Sequence, residues 1–83
     1  MNQNLIFGDD VTALESAVRF SAQQQGQVIQ CLISFSSLTK LSSLLVTVNN
    51  AVTVFEQIRF DIEELAEKAI KDELFEDDGS ILL

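Results

Sequence analysis

The sequence predicts an α+β fold with two layers, in which a small, mainly antiparallel sheet is packed by one short and one long α-helix. Apolar and polar residues alternate through residues 18–33, as is typical of strands with one buried face. A helical apolar stripe occupies the second half of the chain and has to be buried against another layer. The 83 residues suffice for one such unit, so residues 1–83 are predicted to form a single domain.

The sheet is expected to consist of a short N-terminal strand, a β-hairpin in the first half of the chain and a short C-terminal strand. Leu5–Phe7 is a short apolar run that predicts an N-terminal edge strand. Residues 18–22 and 27–33 alternate, and Gly26 between them can adopt the positive φ of a tight turn. They therefore predict a β-hairpin. At the other end, residues 80–83 predict a C-terminal strand that rejoins the sheet.

A short helix is predicted directly after the hairpin. Ser34 or Ser36 can cap its first turn, and apolar residues at helical spacing carry it to about Leu44. Residues 44–48 are rich in β-branched side chains, so they are equally compatible with an extended segment.

The long helix is predicted over residues 50–73. Its apolar positions recur at spacings of three and four, which places them on one stripe of the helix. The stripe consists of Ala51, Phe55, Ile58, Ile62, Leu65, Ala66 and Ala69.

Charge is distributed unevenly along the chain. The net charge is −8, and residues 51–83 hold ten acids against three bases, which gives −7 in that half alone. Nucleic acid is a polyanion and requires a basic face, so direct DNA or RNA binding is not expected.

The sequence indicates a cytoplasmic protein that does not enter a membrane. Cys31 is the only cysteine, so no internal disulfide can form, and the chain carries no pattern of a signal peptide. No apolar run approaches the roughly 20 residues that a membrane span requires.

Familiar catalytic arrangements are absent from the sequence. The chain has no histidine, which excludes Ser-His-Asp and Cys-His catalysis. Cys31 lies on the apolar side of a predicted strand and is interpreted as a core residue. The acids within residues 72–78 do not fit an EF-hand loop and are interpreted as a solvated turn. We therefore predict no catalytic residue, metal or cofactor.

Phe60 is the one residue that the helix pattern leaves unexplained, because it points away from the stripe and lies among acids. Either the short helix folds back and covers it, or it is an exposed aromatic anchor for a partner. Arg59 is expected to form a structural ion pair with Glu63 or with the C-terminal carboxylate, and an anion-binding role is the alternative. The candidate partner-binding residues are Glu56, Arg59, Phe60, Glu63 and Glu67.

Several short segments together resemble the YrdB-like family of small bacterial proteins. They are Met1–Gln3, Ile6–Phe7, Val18-x-Phe20-x-Ala22, Gly26, Cys31-x-Ile33-Ser34, Leu38, Phe55-x-x-x-Arg59-Phe60-x-Ile62-Glu63, Ala66 and Gly79–Ile81. The resemblance implies a compact α+β fold and no defined activity, since the family is one of unknown function whose members are sometimes labelled transcriptional regulators. The sequence departs from the family pattern in having Phe60 where tryptophan is common, and it matches poorly over residues 41–50.

The resulting expectation is a non-catalytic protein-interaction or regulatory module. Its acidic helix would face a basic or apolar surface, either of another protein or of a second copy in a homodimer. A transcriptional regulator acting on DNA is the alternative, which the family label suggests and the charge disfavours. An enzyme of unknown type ranks third.

Overall fold

The computed structural model describes residues 5–83 and has the predicted two-layer α+β architecture. The Met1–Gln3 part of the family resemblance lies outside these residues. The strands are β1 (Leu5–Phe7), β2 (Thr12–Ala13), β3 (Ala17–Gln24), β4 (Gln27–Ser34) and β5 (Ile81–Leu82), and the helices are α1 (Phe35–Ser42), α2 (Ala51–Gln57) and α3 (Arg59–Lys71).

The sheet contains every predicted strand and one additional short one. Its order is β1-β3-β4-β5, and β2 pairs with β3 beside β1, so β1 and β2 together form one interrupted edge. All pairs are antiparallel except β4 with β5, where Cys31 lies opposite Ile81 in parallel register. The mainly antiparallel sheet, its hairpin and its C-terminal strand are therefore confirmed.

The β3–β4 hairpin turns as its sequence predicts. Gln25 and Gly26 both have positive φ, at 52° and 83°, which is the geometry of a type I′ turn. Successive side chains of the two strands then point to opposite faces of the sheet. The inward side chains are Val18, Phe20, Ala22, Ile29, Cys31 and Ile33, and all six are buried.

Helix α1 begins where its cap was predicted and ends earlier. Ser34 Oγ accepts a hydrogen bond from Ser37 N at 3.0 Å, which identifies Ser34 rather than Ser36 as the cap. Ser43 adopts the left-handed conformation, with φ of 63°, and closes the helix there. Residues 44–48 belong to neither helix nor strand, so the alternative in which they continue the helix is wrong.

The long helix is broken at Ile58, so the prediction of one continuous helix over residues 50–73 is wrong. The N–H of Ile58 is shared between the carbonyls of Val54 and Phe55, both at 3.2 Å. Breaking the helix lets α2 pack on β3 and α1, and lets α3 pack on β5.

Both helical segments keep the apolar stripe on the sheet side, with one exception. Ala51 and Phe55 of α2 and Ile62, Ala66 and Ala69 of α3 are buried as the spacing predicts. Leu65 is 41% exposed, so its predicted place on the buried stripe is wrong. Ile70, which the predicted stripe does not include, is buried near the end of α3.

Cys31 is fully buried in β4, between β3 and β5, and its thiol donates a hydrogen bond to the Ile29 carbonyl at 3.8 Å. Burial raises the pKa of Cys31 from an ordinary value of 9.0 to about 11. The interpretation of Cys31 as a core residue is confirmed.

We expect the Cys31 thiol to react with a maleimide or an aromatic disulfide at pH 8 much more slowly in the native protein than in urea, by a factor of at least about 1000. The reason is that the buried thiol becomes accessible only when the protein unfolds. The free energy of unfolding should also be steady below pH 9 and fall as the pH rises towards 11, because the unfolded thiol ionises first. Mass spectrometry follows the labelling, and a Cys31→Ala variant supplies the pH control. Rapid labelling of the folded protein would contradict the assignment.

Candidate functional site

The principal candidate site is a surface on the outer side of α3, which we call the acidic face. It is formed by Phe60, Glu63, Glu64 and Glu67, which share one stripe of α3 at spacings of three and four, together with Glu56 at the end of α2. Phe60 is 86% exposed, the highest fraction of any large apolar side chain in residues 5–83. The interpretation in which the short helix covers Phe60 is therefore wrong.

The orientation of Phe60 follows from the helix geometry and from the position of α1. Ile62 is fully buried, and two residues correspond to a rotation of about 200° around a helix, so Phe60 has to face solvent. Helix α1 could have covered it, but α1 packs against α2 and β4. The aromatic ring therefore projects from the surface.

Arg59 contacts both side chains and backbone near the acidic face. Its Nε donates to Glu63 Oε2 at 2.6 Å, its Nη1 lies 3.4 Å from Glu56 Oε1, and its Nη2 donates to the Gly8 carbonyl. The guanidinium also lies 5.7 Å from the ring centroid of Phe55. The hydrogen bond with Glu63 is the main reason that the pKa of Arg59 is raised.

These contacts divide the five candidate residues into two groups. Arg59 and Glu63 are only 19% and 22% exposed in their side chains, and they join the start of α3 to the end of β1. The predicted pair between Arg59 and Glu63 is confirmed. Glu56, Phe60 and Glu67 are exposed on the surface and accessible to another molecule.

The exposed carboxylates of α3 are not neutralised by neighbouring bases. Within residues 5–83, neither Glu64 nor Glu67 has a basic group within 4.0 Å. This holds although Lys68 follows Glu64, and Lys71 follows Glu67, at a spacing of four. Lys68 instead pairs with Asp72, at 3.4 Å. The acidic face therefore keeps unpaired negative charge beside the Phe60 ring.

A second candidate is an open groove of about 390 Å³ beside β5, lined by Leu32, Glu76, Asp77, Asp78, Ser80 and Leu82. Asp78 Oδ1 accepts from Ser80 Oγ at 2.6 Å and from Ser80 N at 2.9 Å, and these hydrogen bonds lower the pKa of Asp78. This carboxylate thus fixes the turn before β5. Residues 72–79 are all exposed, which confirms the interpretation of this stretch as a solvated turn.

The described part of the chain contains no arrangement typical of a metal centre or a membrane span. Among residues 5–83, no three cysteine, aspartate or glutamate side chains are grouped so that they could hold a metal ion. No helix in the same range is both long and apolar enough to cross a membrane.

The described residues thus form a small two-layer α+β protein with an exposed acidic helix face. The chain belongs to the DUF1488 family, described as proteins of unknown function, whose profile matches residues 5–83. The chain is also similar to a crystal structure of a protein of unknown function from the same family, from Shewanella loihica PV-4. That protein is 44% identical, the match covers 100% of this chain and 94% of that one, and the TM-score is 0.92.

These similarities establish a family without an assigned activity. No curated protein matches the chain. The resemblance to a family of unknown function is confirmed, while the name YrdB-like is not supported by any match.

Proposed function

We propose that this chain is a non-catalytic interaction module of the cytoplasm that binds a basic segment of another protein on its acidic face. The observation that carries the proposal is the exposed Phe60 ring beside Glu64 and Glu67, neither of which has a basic group within 4.0 Å in residues 5–83. An aromatic ring surrounded by charge is the composition of an interface hot spot, in which the ring supplies the apolar contact and its rim supplies specificity.

The negative charge of the acidic half favours a basic partner. Ten of the thirteen acids lie in residues 51–83, so an approaching basic segment is attracted to this half of the molecule and an acidic one is repelled. A lysine or arginine can also lay its aliphatic stem along the Phe60 ring while its charged head reaches Glu64 or Glu67. A basic segment therefore satisfies both parts of the acidic face.

The acidic face is also held in place before any partner arrives. Arg59 joins α3 to Gly8 at the end of β1, and it joins Glu63 to Glu56 across the break between the helices. A surface fixed in this way loses little conformational entropy on binding. Arg59 thus supports the proposed interface without being part of its contact surface.

We expect the purified protein to capture a partner from the lysate of its source organism, and a Phe60→Asp variant to lose that partner. The substitution removes the aromatic contact and adds a further negative charge at its centre. Captured proteins are identified by mass spectrometry, and circular dichroism verifies that the variant is folded. A Glu64→Lys/Glu67→Lys variant should lose the same partner, because its charge is reversed at the rim.

Leu45→Asp is the matched control, since Leu45 is 78% exposed and lies outside the acidic face. It should retain the partner that Phe60→Asp loses. Capture should also weaken as salt is raised, because exposed charges are screened. Equal capture by the wild type, Phe60→Asp and the charge-reversed variant would overturn the proposal.

A further inference from the structure

The solvent side of α3 carries charges in a fixed order. Four exposed residues follow one another at spacings of four, three and four: Phe60, Glu64, Glu67 and Lys71. At about 100° per residue they fall within a sector of about 60°, and they extend over about 16 Å. We call these four residues the outer line of α3. It begins with an aromatic ring, continues with two carboxylates and ends with an ammonium group.

Lys71, at the end of the outer line, keeps a charge that another molecule can reach. Within residues 5–83 no carboxylate lies within 4.0 Å of its ammonium group, although Glu67 precedes it by one turn. Lys68 differs in this respect, because it pairs with Asp72 at 3.4 Å. Since Glu64 and Glu67 also lack a basic partner in this range, the outer line presents negative charge followed by positive charge to solvent.

The stability of α3 itself does not account for this order. Charges interact with the helix dipole within the first and last turns, which suits Lys71 but does not reach Glu64 and Glu67 in the middle of the helix. Acids at this spacing also repel each other slightly. The two carboxylates obtain no compensating partner within residues 5–83, and their position beside the Phe60 ring agrees with a role in binding.

We propose that the acidic face binds a helix of its partner that lies antiparallel to α3 and carries the complementary order of charges, an inference that rests on the proposed function. Counted from its N-terminus, this helix has an acid, a base four residues later, a second base seven residues later and an apolar side chain eleven residues later. In antiparallel packing these four positions lie opposite Lys71, Glu67, Glu64 and Phe60.

A helix suits this surface better than an extended segment. Extended segments bind by adding a strand to a sheet edge, whereas the outer line lies on the side of α3 opposite to its buried residues. Antiparallel packing also places the negative C-terminal end of one helix beside the positive N-terminal end of the other. In this orientation the partner helix has its acid before its bases, which is the order that its own dipole favours.

Two fluorescently labelled synthetic peptides test the order of charges. Both are capped alanine-based helices with Lys, Arg and Leu placed four, seven and eleven residues after a first position, which is Glu in one peptide and Lys in the other. We expect the protein to bind the Glu peptide about threefold more tightly at about 0.15 M salt, where distant charges are screened. Simple attraction to a chain of net charge −8 would favour the Lys peptide instead, because that peptide is more positive. Fluorescence anisotropy of the label gives the dissociation constants.

Lys71→Glu should reverse this preference, so that the Lys peptide binds about threefold more tightly than the Glu peptide. Lys40→Glu is the matched control, since it makes the same change of charge at an exposed position on α1. It should keep the preference of the wild type for the Glu peptide. Circular dichroism verifies that both variants are folded.

Equal or tighter binding of the Lys peptide by the wild type would contradict the inference, and so would an unchanged preference in Lys71→Glu or no binding of either peptide up to about 1 mM. Phe60→Asp separates the inference from the proposed function, because it should weaken both peptides alike. If the wild type prefers the Lys peptide and Phe60→Asp weakens it, the acidic face binds basic segments without a preferred order of charges. If Phe60→Asp binds both peptides as tightly as the wild type, the proposed function itself fails.

Discussion

Replacing Phe55 with alanine is expected to lower the free energy of unfolding by about 3–5 kcal/mol. The side chain is fully buried, and its ring centroid lies 5.0 Å from that of Phe20. Its removal leaves a cavity between the sheet and α2 and also ends an aromatic contact worth about 0.5–1.5 kcal/mol beyond the buried area. Since the free energy of unfolding of a domain is typically about 5–15 kcal/mol, this loss removes a large fraction of the stability.

Urea unfolding followed by circular dichroism measures this effect, because the chain has no tryptophan or tyrosine for fluorescence. Phe60→Ala is the matched control, with the same change of side chain at an exposed position. It should alter the free energy of unfolding by no more than about 0.5 kcal/mol. Losses of similar size in both variants would show that the assignment of one ring to the core and the other to the surface is wrong.

Ile81→Ala should have the second largest effect, a loss of about 2–5 kcal/mol in the free energy of unfolding. Ile81 is fully buried and lies opposite Cys31 in the parallel pair of β4 and β5, beneath α3. The strand has only two residues, so Ile81 supplies most of its attachment to the core. Loosening β5 also removes support from α3 and hence from the acidic face.

Leu82→Ala tests the same strand on its other side, because Leu82 is 56% exposed on the face without helices. Its expected loss is below about 1 kcal/mol. Amide hydrogen exchange should show faster exchange at α3 in Ile81→Ala and unchanged exchange in Leu82→Ala. If α3 kept its full protection in Ile81→Ala, β5 would not support the helix.

The fold could be predicted where a pattern in the sequence alone determines which side chains are buried. Alternation in residues 18–33 identifies both faces of the hairpin, and Gly26 identifies its turn. The break at Ile58 could not be predicted, because the spacing of three and four continues across it and contains neither glycine nor proline. It is visible only in the packing, in which α2 lies on β3 and α1 while α3 lies on β5. Strand β2 has two residues, too few to show any period.

The candidate site was predictable to a similar extent. Helix periodicity alone directs Phe60 away from the core, and the carboxylates around it follow from the same spacing. Whether another element covers the ring depends on the direction of α1, which tertiary packing determines. The bond from Arg59 to the Gly8 carbonyl joins positions 51 residues apart and has no local signal.

The interrupted edge of the sheet bears on how the protein behaves when it is concentrated. An edge strand with unpaired backbone groups is a template on which other chains can add strands and aggregate. Here the edge strands β1, β2 and β5 have three, two and two residues, so each offers only a short ladder. On the other edge, β5 leaves residues 27–30 of β4 unpaired, and this stretch is also short. Sheet-to-sheet growth is therefore limited at both edges, although apolar side chains such as Phe60 are exposed on the surface.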